Sequence, residues 1–345
     1  MVGLTLSGGG VKGSYQIGAY LAFKKCHIKF DGITGTSIGA FNGAVLACHM
    51  ESELLSFWEN VDVGTLLGFD EDYVKKEKLN QKDLEYFLLK IDNLIDILKN
   101  KGISIDGLQK VLEDFNLEDK LRKSNVDFGL STLRLKDGKP LNLFVEDIPN
   151  GSLNNYIIAS CYLPIFKKEK LEDDSYFFDG GIHNYCPVNM LLDKGYKKVY
   201  AIDLKAIGIS QIVKDKTKVI YIKPSRKLSS MITLDKDKIN DNIKMGYYDT
   251  LRVLKRYDGK EYCFKRKSNL YYKLITSKVS EKTLALAYGF FGECSKKDLV
   301  IKSIEYLFRK ENKTYYDVYN IAREIRKYKK IDDNSIALEF IKELI

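Results

Sequence analysis

Gly35-Thr36-Ser37-Ile38-Gly39 sets a serine between two glycines, directly after a short β-prone run, Gly32-Ile33-Thr34, and before a helix-like stretch. G-x-S-x-G between a strand and a helix is the pattern of a nucleophile elbow. A serine on so sharp a turn projects its Oγ at the N-terminus of the following helix, where the macrodipole favours developing negative charge. The pentapeptide alone is a weak signal in a chain with 25 glycines, and its setting strengthens it. Such a serine needs a base. Of the three histidines, His27 lies in a short charged stretch and His49 ends an apolar helix. His183 is only four residues from Asp179, a separation that strains the geometry of a triad. The elbow also comes at the second strand, too early for an ordinary α/β-hydrolase. A carboxylate acting directly as general base is the remaining option, and it must be close to Oγ and partly desolvated. The best candidate is Asp179 in Phe178-Asp179-Gly180-Gly181, where Gly180 and Gly181 permit a tight turn. DGG by itself is a common turn.

A second glycine cluster, Gly8-Gly9-Gly10-Val11-Lys12-Gly13, follows the strand-like Leu4-Thr5-Leu6 and fits G-x-G-x-x-G. It could cradle a dinucleotide pyrophosphate, or donate backbone N–H groups to an oxyanion that exists only during a reaction. The dinucleotide reading calls for an acid at the end of the second strand. Asp31 instead precedes that strand. A Walker loop fails as well, because Lys12 comes before the final glycine. Both observations weaken a nucleotide site.

These residues need a scaffold. The first 50 residues read as strand, glycine turn, helix, strand, tight turn, helix, and the second helix, Ile38 to Cys48, is apolar nearly all round and so expected to be buried. Residues 51–125 are charged and helical in period, with Leu54, Leu55, Phe57 and Trp58 in one segment and Leu94, Ile95 and Leu98 in another; they are expected to form an inserted helical cover. A hairpin through Asp137-Gly138 follows, then the strands KVYAIDL and KVIYIKP. Strands alternating with helices predict a three-layer α/β/α domain over 1–235, with a mostly parallel central sheet. Residues 236–345 are expected to be an all-helical extension, with stripes such as Ile239, Ile243, Tyr247, Leu251 and Leu254, and Val318, Ile321, Ala322 and Ile325.

Charge divides at the same place. Residues 1–235 hold 31 Lys+Arg and 31 Asp+Glu, whereas 236–345 hold 25 and 16, so the whole excess of +9 lies in the last third. A basic module suggests an anionic partner such as lipid headgroups. Nucleic acid is not expected, because no recognised binding motif accompanies the charge. No run of 18 apolar residues exists, which excludes a spanning helix, and no signal-like segment opens the chain; a cytoplasmic protein, able to touch a membrane peripherally, is expected. Six scattered cysteines form no CxxC pair and read as free thiols, and His183 with Cys186 is too few ligands for zinc.

Taken together, GGGVKG after the first strand, GTSIG after the second and DGG about 140 residues later resemble the patatin-like phospholipase family in identity, order and spacing. Ala159-Ser160 with Pro164 and Phe166 resembles its A-S-x-x-x-P-x-F block, and Asn184 to Val188 its N-x-P-V. The resemblance covers roughly residues 2–205. A later segment, Gly246-Tyr247-Tyr248-Asp249-Thr250-Leu251, resembles one that often follows the catalytic domain in bacterial members. The resemblance implies a lipid acyl hydrolase of the phospholipase A or lysophospholipase type. Ser37 would be the nucleophile, Asp179 its partner in a dyad without histidine, and Gly8–Gly13 the oxyanion hole, with donors near Gly9, Gly10 and Val11. Lys12 takes the family's basic position in that loop. No metal or other cofactor is called for, since the hole supplies the electrophile. Tyr162 departs from the pattern, where a small residue is usual, and could narrow an acyl pocket. The alternative is a regulatory or lipid-binding protein on the same fold with little hydrolysis of its own.

Overall fold

The computed structural model describes residues 1–63, 104–163, 166–167, 169–231, 233, 235–331 and 335–344. The chain divides into two compact units, Met1–Tyr247 and Tyr248–Ile345. Leu94, Ile95, Leu98 and Pro164, which carry part of the expected helical cover and of the proline block, lie outside the described residues.

In the first unit, β1 (Val2–Leu6), β2 (Gly32–Thr36), β3 (Asp127–Arg134), β4 (Lys139–Phe144), β5 (Phe177–Asp179), β6 (Lys198–Ile202) and β7 (Val219–Ile222) form a seven-stranded sheet. The order is β4-β3-β2-β1-β6-β7; β1, β2, β3, β6 and β7 run parallel to their neighbours along that row, while β4 is antiparallel to β3. β4 takes one edge of β3 and β2 the other, pairing Gly32–Thr36 with Asp127–Ser131. β5 also pairs with β3, over Thr132–Arg134, and therefore continues the row that β2 leaves off. The ends of β2 and β5 meet there.

Alternation assigns the layers. Leu4, Leu6, Ile33 and Phe128 look toward α1 (Ser14–Lys25) and α2 (Ile38–Ala47), while Gly3 and Gly129 face the other side and admit Leu191 and Met190 of α8 (Val188–Asp193). Helices on both faces of a mostly parallel sheet make the expected three-layer fold. Every residue of α2 is buried, as an all-round apolar helix must be. Around it stand α3 (Glu51–Asn60), α4 (Asp106–Phe115), α5 (Glu118–Lys123) and α6 (Leu153–Ser160). Rings of Phe41, Phe57 and Phe115 meet edge to face at 5.3 to 6.0 Å and seal α2 to α3 and α4. The short helix α7 (Gly181–Asn184) follows β5 directly.

α9 (Lys236–Val253) leads into the second unit, in which helices predominate: α10 (Asn269–Ile275), α11 (Glu281–Phe291), α12 (Lys296–Lys310), α13 (Ile321–Tyr328) and α14 (Ile336–Glu343). Ser268, Ser280 and Ser295 cap α10, α11 and α12 through their hydroxyls, and the Asn320 amide oxygen caps α13. The unit also holds a small sheet that helical periodicity does not announce, β8 (Tyr257–Asp258), β9 (Cys263–Lys265) and β10 (Val318–Tyr319). Val318, read as the start of a helical stripe, is in β10, and the helix begins only at Ile321. The buried carboxylate of Glu305 accepts the N–H groups of Lys260, Glu261 and Tyr262 at 2.7, 2.9 and 3.2 Å, which pins the turn between β8 and β9 to α12.

Candidate active site

Ser37 follows β2 and caps α2 with φ 57° and ψ −132°, a conformation that an L-residue holds only under compulsion from its surroundings. The compulsion comes from close backbone packing. A Cβ on Gly35 would stand 2.1 Å from the Gly39 carbonyl oxygen, and one on Gly39 would stand 2.3 Å from that of Leu6. Only glycine fits at either position, so the chain can turn sharply enough to lift Ser37 off the strand. Ile38 is buried at the first turn of α2. Thr36 hydrogen-bonds through Oγ1 to the Asn184 carbonyl at 2.8 Å, and the Ser37 N–H donates to Ser160 Oγ at 2.9 Å. Ser160 in turn donates to the Ser131 carbonyl at 2.7 Å.

The strand register brings Asp179 to the same place. Thr36 pairs with Ser131 on β3, and Asp179 pairs with the next residue, Thr132, where β5 takes over the edge. Gly180 must be glycine here, since a Cβ would lie 2.1 Å from the Ser131 carbonyl oxygen. The Asp179 N–H donates to the Tyr162 carbonyl at 2.8 Å, and its Oδ1 accepts the Gly181 N–H at 2.7 Å. Ser37 is 8% exposed and Asp179 5%. The Ser37 hydroxyl is near enough to the carboxyl to favour its charged form, yet Oδ2 has no hydrogen-bond partner of ordinary geometry among the described residues. Burial outweighs the help of Ser37 and of the Gly181 N–H and pushes the Asp179 pKa up from 3.8 to about 6.

The glycine loop passes the other side of Ser37: a Cβ on Gly8 would lie 3.3 Å from the Ser37 Cβ. Gly10 has φ 57°, and a Cβ there would meet the Met231 carbonyl oxygen at 2.4 Å. Two N–H groups of the loop are engaged elsewhere, Gly8 with the Tyr185 carbonyl at 2.8 Å and Val11 with that of Met231 at 2.9 Å. Val11, expected among the donors, thus gives its N–H to the protein. Those of Gly9 and Gly10 have no acceptor among the described residues. Lys12 is half-buried, and burial together with the nearby Lys227 lowers its pKa. Gly13 packs against Ile38, and its carbonyl accepts from Asn42 of α2 at 3.0 Å.

Asn42 is a residue that sequence reading passes over, because it sits in an apolar helix. Its amide also donates to Gln16 Oε1 at 2.8 Å and accepts from Trp58 Nε1 at 3.0 Å, while Gln16 donates to the Ser7 carbonyl at 2.7 Å. This buried network ties both ends of the glycine loop to the helix that carries Ser37. Ser160 stands out in the sequence only as part of a block; its bridge between Ser37 and β3 needs the fold to be seen. Tyr162 braces Asp179 through its carbonyl, and its hydroxyl hydrogen-bonds to the Lys167 carbonyl and accepts from the Glu169 N–H at 3.1 Å. His183 meets Gln211 at 2.7 Å, and His27 and His49 lie exposed just past helix ends. All six cysteines are free, and no group of three or more His, Cys, Asp or Glu side chains fit to hold a metal occurs among the described residues.

Residues 4–192 match Patatin-like phospholipase. The chain belongs to the patatin-like phospholipase family. Among curated patatin-like relatives, "Lysophospholipase nte1" of Aspergillus terreus is 27% identical over 209 residues, which are 60% of this chain and 12% of that protein. "Patatin-like phospholipase domain-containing protein 7" of Rattus norvegicus is 27% identical over 210 residues, 59% of this chain and 13% of its own length. The chain therefore spans only a small part of these relatives. Among solved structures, VipD from Legionella pneumophila aligns over 98% of this chain and 83% of its own, with a TM-score of 0.47 and 15% identity.

Proposed function

We propose that this patatin-like chain is a lipid acyl hydrolase in which Ser37 is the nucleophile and Asp179 the general base. The observation that carries the reading is the buried Asp179 carboxyl, with Oδ1 held by the Gly181 N–H and Oδ2 left to Ser37. As Ser37 Oγ attacks an ester carbonyl, its proton passes to Asp179 and negative charge develops on the carbonyl oxygen. The Gly9 and Gly10 N–H groups are the donors that receive this charge, and the N-terminus of α2 adds its dipole. Collapse of the tetrahedral intermediate returns the proton to the leaving alcohol and leaves an acyl-enzyme. Water, deprotonated by Asp179, then attacks the acyl carbonyl; as the bond to Ser37 Oγ breaks, the proton returns from Asp179 to Oγ and the fatty acid leaves. A base titrating near neutrality suits both steps, because it is ionised at working pH and still basic enough to accept a proton.

The family and the lysophospholipase relatives support a phospholipid or lysophospholipid ester as substrate class. The basic residues of 236–345 support peripheral contact with an anionic membrane, which charge reversal at Lys265, Arg266 and Lys267 should weaken at low salt. The deciding experiment is fatty acid release from mixed phospholipid vesicles, together with fluorophosphonate labelling. Wild type should do both; Ser37→Ala should do neither, and Asp179→Asn should lose turnover. Undiminished release by either variant refutes the dyad.

A further inference from the structure

One surface of the first unit stands out among exposed apolar residues. Between β6 and β7 the chain runs Lys205-Ala206-Ile207-Gly208-Ile209-Ser210-Gln211-Ile212-Val213-Lys214 without regular secondary structure. Ile207 is 93% exposed, Ile209 60% and Ile212 88%, and Ile182 on α7 is also exposed. A loose loop could turn such side chains inward, but this backbone is pinned. Ile209 donates its N–H to the Gly181 carbonyl at 3.0 Å and accepts from the Tyr185 N–H at 2.9 Å. Gly208 presses so closely on the same turn that a Cβ would lie 2.7 Å from Tyr185 Cβ. Farther along, Asn189 donates to the Ile212 carbonyl at 2.9 Å and accepts from the Lys214 N–H at 3.0 Å. The loop is thus tied at Ile209 to the turn after Asp179 and at Ile212 to α8.

Resting on the hydrolase reading, we propose that this loop is a membrane-insertion wedge: Ile207, Ile209 and Ile212 enter the acyl boundary of an anionic bilayer, beside the turn that carries Asp179. Charge favours a bilayer. Residues 205–218 carry Lys205, Lys214, Lys216 and Lys218 against the single acid Asp215. Lys214 and Lys218 pair with Asp193 and Asp215 at the surface, where screening leaves them able to meet headgroups. Lysine is depleted from protein–protein interfaces and the hot spots there are aromatic or arginine, neither of which this loop contains. Aliphatic side chains flanked in the chain by lysines are instead the composition of interfacial segments.

The test uses the full chain and vesicles of phosphatidylcholine with or without phosphatidylglycerol. Ile207→Ser with Ile212→Ser should lower partitioning onto phosphatidylglycerol vesicles by about a hundredfold, since each buried isoleucine is worth about tenfold. Hydrolysis of a soluble short-chain ester should be unchanged, which separates failure of the wedge from failure of the hydrolase reading. Independently of any activity, Ile207→Trp should shift to the blue on vesicle binding and be quenched by brominated acyl chains; Trp58, buried and bonded to Asn42, is a constant background. Wild-type protein that does not bind these vesicles, a double variant that binds them as wild type does, or a tryptophan at 207 still open to an aqueous quencher in the bound protein would each overturn the proposal. So would a wild-type dimer in gel filtration that the double variant dissolves, which would assign the surface to a second copy of the chain.

Discussion

Replacing Asp179 by asparagine should stabilise the protein at neutral pH while it abolishes turnover. The carboxyl is buried and its pKa is raised from 3.8 to about 6, with burial as the dominant cause. A carboxyl whose pKa is raised on folding contributes stability that is fully present below its unfolded pKa and is lost as pH rises through the folded value. A rise of that size corresponds to roughly 3 kcal/mol of stability lost between about pH 4 and about pH 7. Asparagine keeps an oxygen for the Gly181 N–H and presents an amide donor toward Ser37, and it does not ionise. Other titrating groups are common to both proteins and cancel in the comparison.

The assay is urea unfolding of wild type and Asp179→Asn across that pH range. Fluorescence is a clean reporter, because Trp58 is the only tryptophan and is buried against Asn42 in the first unit. The two stabilities should coincide below about pH 4, separate between about pH 4 and about pH 6, and stay apart above that, with the variant the more stable by up to roughly 3 kcal/mol. Loss of fatty acid release from a better-folded protein would then belong to chemistry rather than to unfolding. Curves that stay parallel across the range would refute the reasoning, since a carboxyl with an ordinary pKa cannot be desolvated as the structure requires.

Three further outcomes follow from the same geometry. The pH profile of kcat/KM on a soluble ester should rise through about pH 6 and level off above it, as an ionised Asp179 requires; a plateau extending down to about pH 4 would remove Asp179 as the base. Ser160→Ala leaves the buried Ser37 N–H without its acceptor and should cost about 1–3 kcal/mol in urea melts, with slower fluorophosphonate labelling of Ser37. Gly10→Ala forces a Cβ to 2.4 Å from the Met231 carbonyl oxygen at φ 57°, so it should destabilise by at least about 1 kcal/mol and depress kcat more than KM.

Much of this was legible because the sheet is built from local patterns. The apolar run of α2, the Asp137-Gly138 hairpin and the strands on either side of 205–218 are each written within about ten residues. The meeting of Ser37 with Asp179 is of another kind, since 142 positions separate them in the chain. Motif order suggested it, but the physical reason is the register of β3, which seats Thr36 and Asp179 opposite the consecutive residues Ser131 and Thr132. Side-chain bridges were illegible for the same reason: nothing local marks Ser160 as the acceptor for Ser37, or Val11 as bonded to Met231. In the second unit, strands of two and three residues are too short to leave a period of their own, so β8, β9 and β10 are hidden among helical stripes.

The contrast between strained and satisfied groups gives the site its logic. Ser37 holds left-handed backbone, and Asp179 keeps one oxygen without a partner among the described residues, so two local preferences are violated within one small region. Directly beneath them, Asn42, Gln16 and Trp58 exchange hydrogen bonds at 2.7 to 3.0 Å with one another and with the Ser7 and Gly13 carbonyls. An amide in the middle of an apolar helix is costly unless it is so bonded, and leucine would suit α2 better by propensity alone. Its presence is explained by what it joins. Leucine at 42 would orphan the Trp58 N–H and the Gly13 carbonyl and leave Gln16, which holds the Ser7 carbonyl, without its anchor on α2, and the distance between Ser37 and the proposed Gly9 and Gly10 donors would be less firmly fixed. Oxyanion stabilisation depends on donors that need no rearrangement as charge develops. The satisfied network is therefore the counterpart of the strained elbow: it holds the loop still so that the turn bearing Ser37 can remain strained.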